Sequence, residues 1–232
     1  MNALTQLAAR SRVTVIDDDA DGRDDLMDQL RDCDFEPSAV IGHFGQDIDR
    51  LLGEVTAQAP DFVICDHKLQ PQNMASFHGL EVVRRLVEAK TAAMLLTMYQ
   101  STDRLELRAH RHVVPIIMGR DAFDPDYLGT YANVCFREIA EDPVDERRPH
   151  RTLIRVDWID AATQNIDAVV THWSPDHAVT LPRSCIQPSI LPKLTPGSYL
   201  LGDVNIGAKS EDDLFFTNVN ELVDPQSIHD LA

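Results

Sequence analysis

The stretch Asp61-Phe-Val-Ile-Cys-Asp66 (DFVICD) decides the fold. Three apolar residues and a cysteine run straight into a carboxylate, the pattern of a fully buried strand that ends on an acid. A second apolar run, VTVI at 13–16, ends on Asp17-Asp18-Asp19. In an open α/β sheet, ligands bind just beyond the carboxyl ends of the strands. Two such ends therefore bring aspartates from distant sequence into one crevice.

Helical and strand periodicities alternate outward from these runs. Leu26, Met27, Leu30 and Cys33 mark a first helix, and 35–41 a short second strand. Ile48, Leu51, Leu52 and Val55 mark a helix over 46–58. A polar loop, HKLQPQNMASFHG at 67–79, separates DFVICD from a helix carrying Leu80, Val83, Leu86 and Val87. The run AAMLLT at 92–97 reads as a strand ending on a hydroxyl. Residues 102–111 read as a short helix with Arg104, Arg108 and Arg111. VVPIIM at 113–118 is a fifth strand, and Pro115 argues for an edge position. A last helix spans 126–140. Five strand–helix repeats predict an α/β domain: a five-stranded parallel sheet, doubly wound and flavodoxin-like, with helices on both sides. Residues 2–10 are expected to form a short arm.

This arrangement resembles the receiver domain of two-component response regulators. The matching pieces are VTVIDDD with Arg23, Leu26 and Leu30, then DFVICD, then GLEVVRRL at 79–86, then LLT ending at Thr97. The resemblance covers about residues 11–140. It implies that Asp66 is the phosphoacceptor, and that Asp17 and Asp18 hold Mg²⁺ together with Asp66 and the backbone carbonyl of Lys68. It implies that the Thr97 hydroxyl contacts the phosphoryl group. The partner implied is a histidine kinase or phosphotransfer protein, with self-phosphorylation and dephosphorylation at Asp66 as the chemistry. A phosphoryl group is anionic, so carboxylates alone repel it. A divalent cation that prefers carboxylates, a carbonyl and waters resolves the conflict.

The sequence departs from the receiver pattern at several points. No lysine lies between Lys90 and Lys193, and Arg120 is the nearest cation to the expected lysine. Ile116 and Ile117 stand where an aromatic is usual, and Met98 follows Thr97, where a bulky side chain could crowd the phosphate pocket. The loop after Asp66 is long enough to gate the site or hold a partner. Two readings stay open: a phosphorylation switch, or a degenerate receiver acting as a phosphorylation-independent adaptor. The arginines of 102–111 read either as a solvated face or as a homodimer contact surface.

The segment 141–150, EDPVDERRPH, reads as a linker. Residues 151–232 then change character. Alternating runs at 152–158, 166–173, 178–181, 185–186, 198–206 and 214–219 predict a small mostly-β domain, a barrel or a sandwich. Its expected role is contact with an unknown protein target. Trp158, Trp173, Tyr199, Phe215 and Phe216 are expected in its core or at an interface.

The net charge of -17, from 38 acidic and 21 basic residues, disfavours nucleic-acid binding, whose affinity comes largely from Lys and Arg on phosphates. With no recognition helix, a DNA-binding regulator is disfavoured as well. Four separated cysteines without a CxxC pair point to reduced structural thiols, and neither a signal peptide nor a membrane span is expected. A cytoplasmic location is the expectation.

Overall fold

A computed structural model describes residues 7–98 and 103–224. Most of the arm at 2–10, the segment 99–102 and the chain after Asp224 lie outside the described residues. The chain divides into two compact units. The first comprises Met1–Thr102 and Val113–Pro143, and the second Asp103–His112 and Val144–Ala232.

The first unit is a parallel sheet of β1 (Arg12–Ile16), β2 (Glu36–Ala39), β3 (Phe62–Asp66), β4 (Ala93–Thr97) and β5 (Ile117–Gly119), in the order β2-β1-β3-β4-β5. This strand order is that of the flavodoxin-like doubly wound fold. Its switch point falls between β1 and β3, the two strands that end in aspartates. The strands at the centre read as near-continuous apolar runs because helices bury both faces; the polar residue within β1, Thr14, is buried and hydrogen-bonded to Ser38 and Gln58. On one face, α1 (Ala20–Asp32) and α5 (Leu128–Ile139) pack Leu26, Leu30, Leu128, Ala132 and Phe136 against Val13, Val15, Phe62, Ile64, Met94 and Leu96. The other face is covered by α2 (Ile48–Ala57) and α3 (Gly79–Glu88), whose Leu51, Val55, Leu80, Val83 and Leu86 are buried.

β5 is shorter than the sequence pattern indicates. The run at 113–118 enters the sheet only at Ile117, so Pro115 lies ahead of the edge strand rather than within it. That position leaves the missing proline N–H without consequence for the ladder.

The second unit contains one antiparallel sheet in the order β10-β9-β6-β7-β8. Its strands are β6 (His150–Ile159), β7 (Ile166–Val170), β8 (Ala178–Leu181), β9 (Tyr199–Val204) and β10 (Phe216–Val223). One face buries Ile154, Val156, Ala168, Val170, Leu200, Val204 and Phe216. The pair at 185–186 is not a strand. Ile186 instead makes a single bridge to Val219, which brings the chain after β8 back to β10 and curls the sheet towards closure. Trp173 packs on the core and donates its indole N–H to the Ala208 carbonyl at 2.7 Å, whereas Trp158 is exposed.

The helix at 102–111 forms as α4 (Arg104–His110) and belongs to this second unit. Neither the solvated-face reading nor the dimer-surface reading holds for Arg108 and Arg111, both of which are buried. Arg108 donates to the carbonyls of Thr180 at 2.7 Å and Glu211 at 2.9 Å, and pairs with the Glu211 carboxylate at 3.0 Å. Arg111 donates to the Asp212 carbonyl and pairs with Asp213. Arg104 remains partly exposed and pairs with Glu211 and Asp212. An amphipathic pattern on so short a helix carries little information about what covers it, and these partners lie far along the chain.

Candidate functional site

The site lies at the carboxyl ends of β1 and β3. Asp17 and Asp18 follow Ile16 directly, and Asp66 is the last residue of β3. Register places the two ends side by side, with Ile16 opposite Cys65. One carboxylate oxygen from each of Asp17, Asp18 and Asp66 falls within 4.8 Å of the other two. Three residues separated by nearly fifty positions thus form one cluster.

Each carboxylate is held from a different side. Asp17 is buried and accepts the Asp19 N–H at 3.0 Å, which fixes the turn into α1. Asp66 accepts the Lys68 N–H at 2.8 Å. Asp18 accepts the Gln72 N–H at 2.6 Å. Gln72 belongs to the long loop at 67–79, and that loop does not stand open as a gate. Leu69, Met74 and Ala75 are buried, Ala75 bridges Gly45, and Met74 accepts the Phe44 N–H at 2.7 Å. The loop is docked on the β2–α2 connection, and from there its backbone reaches Asp18.

Arg120 begins the 3-10 turn that follows β5. Its guanidinium donates to Asp17 and lies 3.5 Å from Asp66 Oδ1. The chain therefore carries a cation in the crevice, from a stretch of sequence that has no lysine. Thr97 ends β4 beside β3 and is buried, while the following Met98 is exposed and does not crowd the pocket. Lys68 contributes its N–H to Asp66.

The electrostatics follow from this crowding. Burial, and then the neighbouring Asp17 carboxylate, push Asp66 up to about 6. Burial also raises Asp17, although the Arg120 hydrogen bond opposes it. For Arg120, burial works against the cation, but the hydrogen bond and charge of Asp17 outweigh it and its pKa rises. The adjacent Cys65 thiol is fully buried and held well above its usual range, which leaves it inert.

A pH dependence of stability follows. Because the folded pKa of Asp66 is raised, folding disfavours its ionised form. The penalty is absent below about pH 4, where the group is protonated in both states, and is complete above about pH 6. In EDTA, Asp66→Asn is expected to stabilise the first unit by about 1–3 kcal/mol at pH 8 and by little at pH 4. Hydrogen exchange of the β1 and β3 amides at the two pH values measures this. Equal effects at both would contradict the burial-driven shift.

No family model and no curated protein matches the chain. Solved structures with a similar first part do exist. A response regulator receiver domain protein from Clostridium thermocellum is 16% identical, with a TM-score of 0.43 over 56% of this chain and 98% of its own. TrrA, a response regulator protein from Thermotoga maritima, is 23% identical, with a TM-score of 0.42 over 54% of this chain and 98% of its own. The first part of the chain resembles response regulator receiver domains. NtrX from Brucella abortus is 19% identical, with a TM-score of 0.43 over 57% of this chain and 28% of its own. The fold assignment rests on the strand order. No helix among the described residues is long and apolar enough to cross a membrane.

Of the residues singled out from sequence, Asp17, Asp18, Asp66 and Arg120 meet in one crevice, Lys68 joins it through its N–H to Asp66, and Thr97 is the buried end of the neighbouring strand. Gln72 was not anticipated, because it acts through its backbone N–H, which leaves no side-chain signature.

Proposed function

We propose that the chain is an atypical two-component response regulator, phosphorylated on Asp66 by a histidine kinase or phosphotransfer protein. The observation that carries this reading is the convergence of Asp17, Asp18 and Asp66 within 4.8 Å at the switch point of a flavodoxin-like sheet. Structural acids that merely cap strands have no reason to share one pocket, where burial and neighbouring carboxylates raise Asp17 and Asp66.

The donor set fits Mg²⁺. It consists of hard carboxylate oxygens, and burial holds two of the carboxylates, Asp17 and Asp66, above their ordinary pKa even with Arg120 beside them. Asp17, Asp18, Asp66 and the Lys68 carbonyl would hold the ion. When bound, it would neutralise charge on the transferring phosphoryl oxygens. Asp66 is mostly ionised at neutral pH, so one oxygen is available as nucleophile while the other accepts the Lys68 N–H. The phosphoryl group passes from a phosphohistidine nitrogen of the donor to that oxygen. The P–N bond breaks as the P–O bond forms, and the donor imidazole retains the electron pair. Water later hydrolyses the acyl phosphate. Arg120, 3.5 Å from Asp66 Oδ1, is placed to pair with the new anionic group, and the Thr97 hydroxyl ends the neighbouring strand. The β-rich unit, assigned by this reading to residues 151–232 with 141–150 as linker, would transmit the state through protein contacts.

A second reading, a phosphorylation-independent adaptor, is favoured by one observation: Arg120 already neutralises part of the cluster. One experiment separates the two. The protein is incubated with Mg²⁺ and acetyl phosphate, and intact mass is compared with that of Asp66→Asn. Addition of one phosphoryl group to the wild type alone supports the switch. If neither protein gains mass, with phosphotransfer from histidine kinases also negative, the adaptor reading replaces it.

A further inference from the structure

The seat of Arg120 is more elaborate than one ion pair requires. Its guanidinium donates to Asp17 and approaches Asp66, and Asp19 adds attraction from a third side. Asp19 is the N-cap residue of α1, yet its side chain makes no cap hydrogen bond. The space is kept open by Gly22, in the first turn of the same helix. A Cβ on Gly22 would lie 2.6 Å from Arg120 Nη1 and 2.9 Å from Asp19 Oδ2. Glycine weakens a helix relative to alanine, so a glycine here needs a local reason, and the guanidinium supplies one.

The same seat conflicts with a metal ion. A divalent cation held by Asp17 would lie about 2 Å from its oxygen. The guanidinium nitrogen hydrogen-bonded to that carboxylate would then stand within about 5 Å of the ion, close enough for strong mutual repulsion inside a half-buried crevice. We propose that Arg120 is a built-in counterion of the carboxylate pocket, and that its ion pair with Asp17 and the binding of a divalent cation exclude each other. Metal entry must release the guanidinium from Asp17. This inference rests on the Mg²⁺-dependent reading of the site and adds its regulation: the chain carries its own competitor for the metal. Linkage makes the competition reciprocal, so anything that withdraws Arg120 raises metal affinity by the same factor by which metal weakens the ion pair.

The test is isothermal titration of the full chain with Mg²⁺, and with Mn²⁺ as a second probe, for wild type, Arg120→Gln and Gly22→Ala. Arg120→Gln removes the competing charge. Gly22→Ala keeps the charge but fills its seat, and alanine favours the helix, so the variant is expected to fold. Both are expected to bind the metal roughly 5- to 150-fold more tightly than wild type, the usual range of coupling between two sites. In the wild type, the Arg120 Nε–H resonance, identified by its loss in Arg120→Gln, is expected to shift on titration. Metal binding by the wild type with equal or weaker binding by Arg120→Gln, or with an unmoved Arg120 resonance, would overturn the competition and leave the metal site standing. No binding by any of the three proteins would overturn the metal reading itself.

Discussion

Replacing Arg108 with alanine is expected to destabilise the second unit by about 3–5 kcal/mol, from two carbonyls left without their donor and the cavity left by a large buried side chain. The Arg108 side chain is 1% exposed, and it joins two segments far apart in sequence through the Thr180 and Glu211 carbonyls. Alanine would leave both carbonyls short of a charge-assisted donor and open a cavity the size of a guanidinium and its stem. The Glu211 carboxylate would keep Arg104 and His177, so the loss falls mainly on the two carbonyls. Arg108→Lys retains the charge but reaches one carbonyl at most, because an ammonium lacks the planar fork. It is expected to recover less than half of the loss. The chain has two tryptophans, Trp158 and Trp173, and both lie in this unit. Denaturation followed by tryptophan fluorescence therefore reports it selectively. A midpoint unchanged within experimental error would show that Arg108 is bystander packing.

The same network gives this unit an acid-sensitive element. Burial pushes Glu211 up, but hydrogen bonds from His177 and Arg108 outweigh it, and its pKa falls below the ordinary 4.5. A depressed carboxylate contributes stability above its unfolded pKa and loses it as the pH falls through the lower folded value. The contribution is therefore intact at neutral pH and is lost as the pH falls below the ordinary carboxylate range.

The two units were unequally legible in the sequence, for a physical reason. Strands buried on both faces must be apolar throughout, and their ends must return to polar residues, so DFVICD and VTVIDDD announced both the sheet and the crevice. Arg108 and Arg111 carried no such signal. A buried arginine looks identical to a solvated one until its partners are known, and Thr180, Glu211 and Asp213 lie 70 or more residues away. The acidic run at 211–213 was the complementary half of that pattern, but nothing in one dimension pairs a basic helix with it. Arg120 was legible as a cation near the expected lysine. Its seat was not, because it depends on the short β5 and the 3-10 turn that starts at Arg120. That the loop at 67–79 is docked was not legible, because backbone hydrogen bonds fasten it. Leu69 and Met74, apolar residues within a polar stretch, were the available hints of its burial.

Gly79→Ala is expected to damage the first unit and the site together. Gly79 opens α3 and packs directly behind the candidate phosphoacceptor. A Cβ there would lie 1.8 Å from the Asp66 carbonyl oxygen and 2.8 Å from Cys65 Sγ. The Gly79 N–H also donates to the His67 carbonyl at 2.8 Å, which holds the two backbones in register. The glycine is required by close approach rather than by a left-handed conformation, since its φ is not positive. Ordinary contact needs well over 3 Å, and the clashing atom is backbone, so either the start of α3 or the end of β3 must shift by more than about 1 Å. The expected loss is about 3 kcal/mol or more, at the upper end for overpacking. Moving the end of β3 also carries Asp66 away from Asp17 and Asp18. Divalent-cation affinity should therefore fall even at temperatures where the variant is fully folded. Gly53→Ala in α2 is the control: a Cβ there meets nothing within 4 Å, and alanine in an open helix position stabilises by up to about 1 kcal/mol. Hydrogen exchange of the β3 amides and Mg²⁺ titration of the two variants form the test. A Gly79→Ala protein as stable as Gly53→Ala, with unchanged Mg²⁺ affinity, would show that the crevice does not depend on the tight seating of α3 against β3.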